Sequence, residues 1–219
     1  MGLGLRQVPW TVVLGAAGIG CLVAGAFAAG TPPAVDATTA TWIAYLSDHR
    51  GAVLAGAALT TAAGVLLLAP FAHLSALVRR SGRDTAATFG LATWVVAFMF
   101  LIVGSMAVAA VAWRGPAELD MSVVRFAVDI SNLATWGLSA TVAGIAVLAM
   151  TLPAWRAGLV SRWVAGLAVA KSVTCVVEVA GLGLRHGWDA GGYGAATSAA
   201  ALVAWAVAVL WALHSMMVP

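Results

Sequence analysis

The sequence predicts an all-α polytopic membrane protein: a single bundle of six transmembrane helices with both termini in the cytoplasm. Two observations carry this. Of 219 residues, 63% are hydrophobic and only 9% are charged, where soluble domains carry about 25% charged residues. The apolar residues also fall into six runs, each near or above the ~20 residues needed to cross a bilayer core. The runs cover roughly 10–30, 51–74, 89–113, 123–152, 160–184 and 193–215. They use up the length and leave no room for a soluble domain, so 1–219 reads as one transmembrane domain.

The breaks carry the expected punctuation: Thr31-Pro32-Pro33, Arg79–Asp84, Gly115-Pro116, Pro153 and Gly191-Gly192. None of the runs shows sustained period-2 alternation, which excludes a β-barrel. Glycine and alanine are abundant, as in Gly15-x-x-Gly18 and Gly51-x-x-x-x-Gly56, and small residues let helix backbones approach closely. The first run follows Arg6 and holds Ala26-Phe27-Ala28, which resembles a signal-peptide cleavage site. It is longer than a usual signal core, so it reads as a retained span.

Arginine placement sets the orientation. With six spans, one side holds Arg6, Arg79, Arg80, Arg83, Arg156 and Arg162, and the other Arg50, Arg114, Arg125 and Arg185. The bias puts the termini in the cytoplasm of a bacterial plasma membrane. Trp10, Trp42, Trp113, Trp155, Trp163 and Trp188 fall near run ends, where indole rings anchor at the interface, while Trp94, Trp136, Trp205 and Trp211 lie deeper. A net charge of +3 raises nucleic acid as a candidate partner. The longest basic cluster is Arg79-Arg80-x-x-Arg83, which topology explains, so nucleic-acid binding is excluded and the bilayer is the expected partner.

Chemistry concentrates in the fifth run, where Lys171 and Glu178 interrupt an apolar stretch. An ionisable side chain there costs roughly 2.5–3.5 kcal/mol on insertion scales. Lys171, Cys175, Glu178 and Arg185 share one helical face, with apolar Leu182 breaking the stripe. Seven residues separate Lys171 from Glu178, about 10.5 Å along the axis, so each should find its partner on a neighbouring helix. The fourth run offers Arg125, Asp129, Asn132 and Trp136 on one face. A short connection makes runs four and five antiparallel neighbours, with Asp129 and Glu178 at similar depth.

The expectation is a buried polar site, open to the outer face, built from Asp129, Asn132, Lys171 and Glu178. A desolvated carboxyl there holds or delivers a proton; a structural ion cluster is the competing reading. A second polar group joins Asp48, His49 and Arg50, opening the second run, to Arg185 and His186 in the fifth loop. No metal is expected there, because the spacing matches no ligand motif. His49 and His73 are 24 residues apart, about 36 Å of helix, which puts both near the surfaces and argues against haem. Cys21 and Cys175 lack metal or disulfide spacing. No P-loop, GxSxG, HExxH or acid-rich DDxxD-type motif occurs. No cofactor is expected.

Three stretches carry a family resemblance: Ser47-Asp48-His49-Arg50, Val124-Arg125-Phe126-Ala127-Val128-Asp129, and Gly158-Leu-Val-Ser161-Arg162-Trp163-Val-Ala-Gly-Leu167. Over roughly residues 8–215 the chain resembles a group of six-span integral membrane proteins common in actinobacteria. The resemblance implies the six-span fold and no particular substrate.

Three function classes follow. The first is binding or transport of a small or lipid-like molecule through the outward site, alone or as a homo-oligomer. The second is a membrane-embedded enzyme using Glu178 or Asp129 as an acid on an isoprenoid or lipid, like small membrane terpene cyclases. The third is a structural or accessory subunit of a larger membrane complex.

Overall fold

A computed structural model describes the backbone of residues 8–28, 30–184 and 193–216, and the side chains of 10–28, 30–177 and 197–216. The chain forms eight helices there: α1 (Val8–Ala28), α2 (Thr39–Asp48), α3 (Arg50–Arg80), α4 (Asp84–Arg114), α5 (Met121–Asn132), α6 (Ala140–Arg156), α7 (Arg162–Leu184) and α8 (Tyr193–Ser215). A 3₁₀ turn, Pro116–Glu118, precedes α5, and a π-helical segment, Leu133–Ser139, joins α5 to α6 without a break. Five helical stretches are long and apolar enough to cross a membrane: Trp10–Ala28, Arg50–Arg80, Asp84–Arg114, Met121–Arg156 and Thr197–Ser215. They mark a membrane protein.

The long helices pack as a ring. α1 lies against α3, α3 against α4, α4 against α6, α6 against α7, α7 against α8, and α8 closes on α1. Small residues make the seams. A Cβ added at Gly25 of α1 would lie 3.1 Å from the Gly56 carbonyl of α3, and one at Gly56 would lie 3.1 Å from that of Gly25. Without driving force from water inside a bilayer, such close backbone approach gains the dispersion contacts that hold helices together.

Aromatic rings fill the ring's axis. Phe71 of α3 stacks on Trp94 of α4 at 4.1 Å, and Trp205 of α8 reaches both, at 5.5 and 5.7 Å between centroids. Trp94 and Trp205 are 1% and 0% exposed. The Trp205 indole N–H donates to Thr151 Oγ1 of α6 at 3.0 Å, satisfying a donor that would otherwise be costly in this apolar core. Trp10, Trp113 and Trp163 instead stand exposed near helix ends, and Trp211 is exposed on α8 rather than buried in the core.

Several elements differ from the sequence-based boundaries. α3 and α4 extend by several residues past the apolar runs, because Arg79, Arg80, Asp84 and Arg114 solvate the helix ends. Pro153 does not end its helix but lies within the last turn of α6, and Pro70 lies inside α3. Neighbouring groups in a bundle compensate the lost backbone bond. The first connection is not featureless: Thr38 caps α2 by accepting from the Thr41 N–H at 3.2 Å, and α2 buries Trp42 and Leu46.

Candidate functional site

At the end of the bundle where α1 finishes and α3 begins, five elements surround a cavity of about 180 Å³. α2 contributes Trp42 and Tyr45, α3 Thr60, α4 Ser105, and α5 with the π segment Ser131, Asn132, Thr135 and Trp136. Gly25 of α1 and Leu46, Val53 and Ala57 add apolar wall. Among the described residues that line it, none is charged.

The π segment forms part of this wall through Thr135 and Trp136. A π turn is wider than an α turn and concentrates at functional sites. Here it follows from a close crossing: a Cβ at Gly104 of α4 would run into Thr135 Oγ1 and lie 3.0 Å from the Ser131 carbonyl. α4 thus presses on the helix where its hydrogen-bond ladder changes. At the end of the segment the Gly137 carbonyl accepts the Ala140 N–H and also the Thr141 hydroxyl, the latter at 2.7 Å.

Two residues of the cavity wall each carry a buried donor with no protein acceptor. Trp42 Nε1 and Asn132 Nδ2 are fully buried without a hydrogen-bond partner, and both residues line the space. Leaving a buried donor unpaired costs about 1–3 kcal/mol, so such groups ask for an explanation. Burial pushes the Tyr45 phenol above its ordinary value near 10, so it lines the wall as a neutral hydroxyl. Trp94 Nε1 is a third unpaired donor; it belongs to the aromatic axis, and nothing in the structure explains it.

The sequence-derived residues divide among several places. Asn132 and Trp136 reach the cavity. Asp129 is not buried: its side chain is 51% exposed and ion-paired with Arg125 at 2.7 Å. Arg125, one turn earlier, holds the carboxylate at the surface and also donates to the carbonyls of Val35 and Ala37, each at 3.1 Å. This guanidinium ties α5 to the segment leading into α2. Arg50 donates to the Trp113 carbonyl at 2.7 Å, closing the end of α4 against the start of α3. His49 stacks on Tyr45 at 4.7 Å and donates from Nδ1 to the Tyr45 carbonyl at 3.1 Å. Asp48 ends α2 and is exposed.

Lys171 faces inward and is 2% exposed. Its Nζ donates to Ser198 Oγ on α8, itself 2% exposed. Next to it, Ser172 donates to the Gly144 carbonyl at 2.9 Å, joining α7 to α6. Glu178 sits on α7, but its side chain lies outside the described residues, as do Arg185 and His186.

Tyr45, Thr135 and Ser198 were not singled out from the sequence, and Trp42, expected as an interfacial anchor, is instead buried in the cavity wall. For Trp42 a signal existed: Thr38 as a cap, then Trp42 and Leu46 four residues apart, is the pattern of a short helix with one buried face. For Thr135 and Ser198 none did, since hydroxyls inside apolar helices are common and locally satisfied.

No family model, curated protein or solved structure matches the chain.

Proposed function

We propose that the chain is a six-span protein of the bacterial plasma membrane, with cytoplasmic termini and with α7 spanning in addition to the five long apolar stretches. We infer that it binds a small or lipid-like molecule in the cavity beneath α2. The observation that carries this reading is the pair of buried, unpartnered donors, Trp42 Nε1 and Asn132 Nδ2, at one uncharged cavity. Both atoms are donors held in the cavity wall, so a ligand that reaches them through a small side-chain shift brings acceptor oxygens. With no charged group in the wall among the described residues, that ligand is neutral. Aromatic and aliphatic surface around the donors suits an apolar body. Carbonyl-, ether- or hydroxyl-bearing amphiphiles fit this chemistry.

The topology supports the same reading. The arginine-rich end formed by Arg79, Arg80, Arg156 and Arg162 lies opposite the cavity, which therefore opens toward the outer face under the positive-inside rule. Aromatic rings of Phe71, Trp94 and Trp205 occupy the axis below it. Binding is thus favoured over passage straight through the bundle.

Native mass spectrometry of the protein released from membranes, followed by organic extraction, tests this. The expected result is a neutral molecule retained near one per chain, lost in Trp42→Phe and Asn132→Leu variants that keep their melting temperature. Retention unchanged in both variants would remove the cavity as the binding site.

A further inference from the structure

At the opposite end of the bundle, α3 and α4 frame an open groove of about 360 Å³. Its shape is two-tiered. Arg79 and Arg80, in the last turn of α3, form the upper tier, while Ala72, Ala76 and Leu91 form an apolar shelf below. Ala72, Ala76 and Arg80 follow one another at one-turn intervals along α3, Arg79 stands next to Arg80, and all four are exposed. The alanines leave a channel where larger side chains would have filled the surface.

The head of this groove is held in place. Arg79 donates to Thr88 Oγ1 of α4 at 3.3 Å, bridging the two helices at its mouth. The chain between them turns at Gly82, whose φ is +81°. Arg83 follows, donating to Ser81 Oγ at 3.3 Å. Asp84 begins α4 and opposes an anion here, but three arginines against one aspartate leave the local charge near +2. Ser75 at the back is already used, donating to the Ala87 carbonyl at 2.9 Å.

We propose that this groove is a binding site for one anionic phospholipid, its phosphate at Arg79 and Arg80 and an acyl chain along Ala72, Ala76 and Leu91. Charge and polarity both change along the groove in the order a phospholipid presents them. A guanidinium fits a phosphate through paired donors, and the groove stands where two apolar helices end, at headgroup level. Basic residues near a membrane surface each favour anionic lipid, so the two arginines give a preference of about tenfold or more. This inference is independent of the cavity beneath α2.

The test uses the full chain in neutral detergent, with lipids added before native mass spectrometry and thermal unfolding. Phosphatidylglycerol is expected to stay bound and raise the melting temperature at least tenfold more efficiently than phosphatidylcholine. Arg79→Gln/Arg80→Gln should abolish that preference. Ala76→Leu should weaken retention of both lipids by filling the shelf while leaving the charge intact. Millimolar inorganic phosphate should not compete. Equal binding of the two lipids by the unaltered protein would overturn the proposal, whatever the variants do. So would a preference that survives the double arginine variant, or full competition by free phosphate, which would make the ligand an ion rather than a lipid.

Discussion

Lys171 of α7 and Ser198 of α8 meet side chain to side chain, both 2% exposed, where the two helices pack. A lysine inside an apolar span is expensive wherever it points. The hydroxyl gives its Nζ an acceptor without adding a second charge.

Ser198→Ala should therefore lower the melting temperature in detergent by the equivalent of about 1–2 kcal/mol, in the range for hydrogen bonds between membrane helices. Lys171→Met in that background removes the stranded polar group and keeps the side-chain length. The double variant should recover most of the loss. If Ser198→Ala and the double variant are equally destabilised, the loss comes from packing rather than from an unpaired amine.

Arg125 predicts an asymmetric pair of variants. Arg125→Ala removes the donors to Val35 and Ala37 as well as the ion pair, so the segment before α2 should become more open to proteolysis. Asp129→Asn removes only an exposed charge partner, worth under about 1 kcal/mol. Limited proteolysis of the 30–38 segment distinguishes the two. Equal sensitivity in both variants would mean that the ion pair, not the carbonyl contacts, anchors the loop.

Asn132 and Trp136, which line the cavity, were legible as polar positions because amide and indole groups inside an apolar run have few inexpensive places to go. The long helices were legible for the same reason that composition identified the membrane: uninterrupted apolar length. Asp129 was placed too deep because the apolar run was taken to begin at 123, whereas Arg125 and Asp129 satisfy each other at the surface and need no interior partner. Trp42 lay in a stretch treated as connection, although its cap and spacing were present. The π segment had no local signature. It depends on how closely Gly104 of α4 approaches Thr135, a relationship between residues far apart in sequence that only the packed structure contains.

Asp120 predicts an acid response. It caps α5, accepting from the Ser122 hydroxyl at 2.6 Å and the Ser122 N–H at 2.7 Å. These bonds hold its carboxyl below the usual carboxylate range. A depressed folded value means the cap is fully present above the unfolded value near 3.9 and is lost as pH falls through the lower, folded one. Hydrogen exchange at the amides of 121–124 should accelerate across that acidic window and not at neutral pH. Asp120→Asn should remove the pH dependence while keeping a neutral cap; an unchanged acid response in that variant would assign the transition to another group.

Gly104 links the fold most directly to the site. A methyl there collides with Thr135 Oγ1 and crowds the Ser131 carbonyl and Thr135 N–H, at 3.0 and 3.1 Å. Two of the crowded groups are backbone and cannot rotate away, so α4 or the π segment has to move. Gly104→Ala should cost about 1–3 kcal/mol, the usual range for overpacking, and should disturb the cavity that Ser131 and Thr135 line. Gly166 of α7 is the control, because a Cβ there meets nothing within 4 Å. Gly166→Ala should be neutral or stabilising by up to about 1 kcal/mol, since alanine restricts the unfolded chain and favours helix. Melting temperatures of the two variants in one detergent give the comparison, and retention of the proposed ligand reports the cavity. If Gly104→Ala melts like Gly166→Ala and retains the molecule unchanged, the crossing of α4 on the π segment does not shape the site.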